Sequence, residues 1–112
     1  MSQENFHNGV DIAAEKGTQV MSVAEGTVEE IGFDTGLGYN VMVLNTDGYR
    51  TRYSHLSEIL VKEGDNVSAG DILGPVGSTG LSTGPHLHFS VLTGYLDENG
   101  NISLRYVEPV IE

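Results

Sequence analysis

Pro85-His86-Leu87-His88-Phe89 reads as the opening of a β-strand that sorts two kinds of chemistry onto two faces. In a strand, alternate side chains share a face. His86 and His88 therefore stand side by side, while Leu87, Phe89 and Val91 point the other way, toward a core. Two imidazoles on one face have no apolar reason to be there. The chain has four histidines, and the other two are His7 and His55. His7 opens His7-Asn8-Gly9-Val10-Asp11, which sets an imidazole and a carboxylate four residues apart. Neutral imidazoles and a carboxylate, with imidazoles to spare for proton transfer, are what a catalytic zinc site requires.

Spacing limits how these groups meet. Four residues of straight strand span roughly 13 Å, too far for two donors each about 2 Å from one ion. A bend is needed, and Gly9, midway between His7 and Asp11, has the backbone freedom for one. His55 ends Tyr49-Arg50-Thr51-Arg52-Tyr53-Ser54-His55, where strict alternation puts Thr51, Tyr53 and His55 on one face. That reading places His55 near His86 and lets Tyr53 line the same cleft. Alternation alone does not choose which of His86 and His88 would take a metal.

The rest of the chain reads as all-β. Fifteen glycines in 112 residues separate short β-rich runs. The expected strands are Gln19 to Val23, Gly26 to Phe33, Tyr39 to Leu44, Tyr49 to His55, Ile72 to Val76, His86 to Leu92 and Ile102 to Val107. Asp47-Gly48 marks a hairpin between the third and fourth. Helical periodicity is confined to a turn or so within Ser57 to Lys62. Glu25-Gly26 and Glu63-Gly64 each precede a valine by a few residues, a faint internal echo.

Composition excludes several functions. The absence of cysteine rules out disulfides, thiolate ligation and a cysteine nucleophile. A net charge of −11, from five basic and sixteen acidic residues, argues against a nucleic-acid partner and against passive adhesion to an anionic wall. No apolar run is long enough to cross a membrane, and no basic-then-apolar start resembles a signal peptide. The length suits one domain, residues 1–112, with its functional core over 7–92, and the start reads as a cut from a longer protein.

His7-x-x-x-Asp11, Ser54-His55-Leu56-Ser57 and Gly84-Pro85-His86-Leu87-His88-Phe89, in that order, resemble the lysostaphin-type, or LytM-like, zinc endopeptidases. Gly17-Thr18-Gln19-Val20, Ala24-Glu25-Gly26-Thr27-Val28, Val61-Lys62-Glu63-Gly64-Asp65 and Gly77 to Gly84 belong to the same resemblance. It implies an antiparallel sheet joined to a barrel-sandwich hybrid core. It implies Zn2+ held by His7, Asp11 and His88, with His55 and His86 as catalytic proton-transfer residues. The implied substrate is the peptide part of bacterial peptidoglycan, in the cell envelope or outside the cell. Three protein ligands leave zinc an open position, the mark of a catalytic site. Two positions depart from the family pattern: Ser90 stands where an acidic residue is common, and Asn45 where a histidine is common.

Two other readings compete. Domains of this fold that serve only as binding or scaffold modules usually lose a ligand or a catalytic histidine, and all five positions are present here. Val61 to Asp71 resembles the turn of biotinyl and lipoyl carriers, but Lys16 and Lys62 are poorly placed for a hairpin tip. A phosphocarrier would have no need of His86-Leu87-His88 beside His7 and Asp11.

Overall fold

A computed structural model of the chain describes residues 9–107. They form nine strands and no helix: β1 (Val10–Ala13), β2 (Gln19–Met21), β3 (Gly26–Asp34), β4 (Gly38–Asn45), β5 (Arg50–Leu56), β6 (Asn66–Val67), β7 (Ile72–Pro75), β8 (His86–Leu96) and β9 (Ile102–Val107). Seven make one antiparallel sheet in the order β1-β8-β5-β4-β3-β6, with β9 also on β8. The other two, β2 and β7, pair as a ribbon. The all-β expectation holds.

The core lies on one face of the large sheet, against the ribbon. Val28, Val41, Val43, Tyr53 and Leu56 meet Val20 and Leu73, with Val67 and Val76 completing the cluster. Leu87 and Phe89 pack on it, as the alternation of β8 requires. The Tyr53 hydroxyl accepts the Val23 N–H at 3.1 Å and bonds the Thr51 hydroxyl at 3.0 Å, so this polar tip is satisfied inside the core. The Asp47-Gly48 turn forms between β4 and β5 as its sequence demands, with Gly48 at φ +93° donating its N–H to the Asn45 carbonyl. The two Glu-Gly segments of the echo end up as neighbours, since Gly26 pairs with Val67 and Thr27 with Asn66.

Three departures from the expected strands matter. Val10–Ala13 is a strand that its own pattern does not announce, because pairing with β8 creates it. β8 runs on to Leu96, where β9 covers Val91 to Leu96. β5 lies along the opposite edge of β8, so β1 and β9 share one edge, end to end. The third departure is His55, described next.

Candidate metal and proton-transfer site

Four chemistry-bearing side chains converge where β1, β8 and the end of β5 meet. Asp11 and His88 are direct cross-strand partners, which brings side chains within a few ångströms. The Asp11 carboxylate oxygen Oδ1 lies 2.6 Å from Nδ1 of His88 and 3.4 Å from Nε2 of His86. Ring centroids of His55 and His86 are 4.8 Å apart, and those of His55 and His88 are 6.1 Å apart. Of the expected site residues, Asp11, His55, His86 and His88 come together; His7 lies outside the described residues. Among the described residues no group of three donors is complete by itself.

His55 does not arrive by alternation. Thr51 and Tyr53 do share a face, but it is the core face, with Tyr53 paired to Phe89. The expectation that Tyr53 lines the cleft is therefore corrected. His55 has φ +65°, the one positive φ of a non-glycine among the described residues. This left-handed residue turns its side chain away from the core and onto the side of His86 and His88. Such a conformation costs on the order of 1–3 kcal/mol and persists only where its surroundings hold it. Here the His55 N–H donates to the Leu37 carbonyl at 2.8 Å, and its carbonyl accepts the Gly77 N–H at 3.0 Å.

Hydrogen bonds also set the tautomers. Nδ1 of His55 lies 2.6 Å from the Thr79 carbonyl. A carbonyl only accepts, so the proton sits on Nδ1, and Nε2 of the neutral ring keeps its lone pair. In His86, Nδ1 lies 3.0 Å from the Gly84 carbonyl and 3.1 Å from the Ser82 hydroxyl. The Ser82 hydroxyl spends its proton on the Gly84 carbonyl at 2.6 Å, so His86 too carries its proton on Nδ1. Its bare Nε2 then faces Asp11 Oδ1, lone pair toward lone pair, an arrangement that calls for a proton or a cation between them. Burial, the largest influence, holds the His55 pKa below its ordinary value; the Thr79 bond works the other way.

Asp11 and His88 suit a divalent ion of the zinc class: one carboxylate oxygen and one imidazole nitrogen on adjacent strands, with a second imidazole, the third ligand, expected from His7. The residues that hold the rings of His55 and His86 were not singled out by the sequence. Thr79, Ser82 and Gly84 sit in a stretch that reads equally as a flexible connection or a cleft wall. Their signal was the hydroxyls interleaved with glycines. On the opposite face of β8 lies an apolar cavity of about 290 Å³, lined by Ile12, Val20, Met21, Leu87 and Phe89 among others.

Solved structures of peptidases share this antiparallel architecture. The catalytic domain of the antimicrobial peptidase lysostaphin from Staphylococcus simulans superposes with a TM-score of 0.79 at 38% identity, over 92% of this chain and 75% of that one. A zinc-containing peptidase from Vibrio cholerae gives 0.73 at 41% identity, over 76% of this chain and 26% of that one. The peptidoglycan DD-endopeptidase ShyC of Vibrio cholerae is 37% identical over 97 residues, which is 87% of this chain and 22% of that protein. Residues 5–101 match the model of peptidase family M23, and the chain belongs to that family. It spans about a fifth of the length of the curated relatives it matches.

Proposed function

We propose that the chain is a zinc-dependent endopeptidase that hydrolyses peptide cross-links of bacterial peptidoglycan, in the cell envelope or outside the cell. The observation that carries this reading is the pair of imidazoles, His55 and His86, each tied through Nδ1–H to a loop carbonyl so that Nε2 keeps the lone pair that takes a proton. They stand beside a carboxylate–imidazole pair fit to hold an ion. A structural metal site has no use for two such bases.

In this reading His7, Asp11 and His88 hold Zn2+. Bound there, zinc would supply a Lewis acid for the scissile carbonyl and lower the pKa of a water at its open position. The protein's own groups do the rest. Nε2 of His55 or His86 takes the proton of the attacking water, and an imidazolium returns it to the leaving amine. The same imidazolium stabilises the negative charge on the carbonyl oxygen as the tetrahedral centre forms. The bond cut, whether within a glycyl bridge or a direct stem-peptide link, is set by loops around the cleft.

The test uses isolated cell walls of known cross-bridge chemistry, with mass spectrometry of the released fragments and elemental analysis of the protein. The wild-type chain is expected to carry close to one zinc and to release cross-link peptides. His88→Ala is expected to lose zinc and activity together. His86→Ala is expected to keep zinc and lose about 10²- to 10⁴-fold in turnover, the usual contribution of a positioned acid or base. Zinc lost from His86→Ala but kept by His88→Ala would reverse the ligand assignment. Full activity in both variants, or no release of wall fragments by the zinc-loaded wild type, would overturn the enzyme reading in favour of a silent binding module.

A further inference from the structure

Thr79 occupies a break in the sheet. Tyr39 and Leu56 are cross-strand partners of β4 and β5, and the register shifts between Tyr39 and Val41. At that break the Thr79 hydroxyl stands between the two backbones. Its Oγ1 donates to the Leu56 carbonyl at 2.6 Å and accepts the Tyr39 N–H at 3.1 Å. One hydroxyl proton and one lone pair thus replace a direct ladder bond. The backbone of the same residue offers the carbonyl that accepts the proton of His55 Nδ1. Two glycines let the loop approach this closely. A Cβ on Gly38 (φ +66°) would overlap Thr79, and one on Gly80 (φ +76°) would overlap the backbone of Gly38. The carbonyl that orients His55 is therefore pinned by its own side chain to the strand that carries His55.

Building on the peptidase reading, we propose that Thr79 is a positioning residue. Its hydroxyl, wedged between Tyr39 and Leu56, fixes the carbonyl that holds His55 in the Nδ1–H tautomer with Nε2 turned to the site. A residue that orients a functional imidazole through its second nitrogen typically alters activity by about 10- to 100-fold when lost.

The experiment compares Thr79→Val, which keeps the shape and removes the hydroxyl, with Thr79→Ser, which keeps the hydroxyl. The readouts are ring ¹⁵N–¹H correlation spectra of histidine-labelled protein, zinc content, and kcat and KM on wall peptides. The wild type should show His55 as a single Nδ1–H tautomer. Thr79→Val should keep zinc and KM, lose about 10- to 100-fold in kcat, and show His55 as a mixture of tautomers. Thr79→Ser should restore both the spectrum and kcat. An Nε2–H tautomer for His55 in the wild type would overturn the proposal. So would unchanged kcat with a single tautomer in Thr79→Val, or a serine variant as impaired as the valine one. Should Thr79→Val not fold, Thr79→Ala goes through the same readouts and is judged in the same way. Should the wild type bind zinc and cleave no wall, the peptidase reading fails while the tautomer spectra still decide the role of Thr79.

Discussion

Replacing Gly9 with alanine should damage the proposed metal site without replacing any of its ligands. Gly9 precedes β1 and is buried, with φ +127°. A Cβ there would overlap the Phe89 carbonyl oxygen, and would lie 2.6 Å from Ser90 Oγ and 3.0 Å from His88 Nε2. The backbone conformation alone costs alanine about 1–3 kcal/mol. The Phe89 oxygen is backbone and cannot rotate away, so β1 must lift off β8 and weaken about one ladder bond, worth about 1 kcal/mol. The total is about 2–4 kcal/mol, a drop of roughly 10–25 °C in Tm for a domain of this size. Because Asp11 rides on β1 opposite His88, zinc affinity should fall about 10- to 100-fold as well. Gly17→Ala is the internal control: Gly17 has φ +92° but nothing within 4 Å of its Cβ position. It should lose only about 1 kcal/mol and keep its zinc affinity. Thermal melts and competitive titration with a chromogenic zinc chelator measure both quantities. Equal melting temperatures and equal zinc affinities for the two variants would refute the reasoning.

Tyr53→Phe removes the acceptor of the Val23 N–H in the core, so urea unfolding should show a loss of about 1–2 kcal/mol, with kcat unchanged; a selective fall in kcat would return Tyr53 to the cleft. For His55, whose folded pKa lies below the unfolded imidazole value of about 6.5, the native state binds fewer protons between those two values. Stability of the metal-free protein should therefore rise with pH through that window and level off above about 6.5, and His55→Gln should flatten that rise in melts taken between about pH 5 and 7. Removing zinc with a chelator should lower the Tm, since only the folded state binds it, and adding one equivalent of zinc should restore it; a Tm indifferent to zinc would count against the site.

Much of this was legible because strand alternation is a strong rule where one face is buried. Leu87 and Phe89 against His86 and His88 give the orientation of β8, and from it the location of the candidate site. Asp47-Gly48 gives its turn because glycine there meets a left-handed backbone. Alternation failed at His55, whose positive φ is imposed by the Leu37 and Gly77 backbones and leaves no trace in residue type. It failed also for β1, four residues made into a strand by a partner nearly eighty residues away. Thr79 was unreadable as a ring-holder for the same reason, since it acts on His55 in a strand distant in sequence; Ser82 is only four residues from His86, but its role depends on the fold of the loop between them. The bend anticipated at Gly9 finds that residue in a glycine-only conformation, while its other end, His7, lies outside the described residues.

The left-handed turn at His55 has an evolutionary consequence. Glycine would sit at φ +65° with none of the strain that histidine bears there. Selection for stability alone would thus favour losing this imidazole, by about 1 kcal/mol or more. In the proposed peptidase, selection for turnover would keep it in place. A lineage that came to use this fold for holding a partner, and no longer for cutting a bond, would feel that pressure at position 55. Drift toward glycine or asparagine there would mark the change of use while the sheet stayed intact.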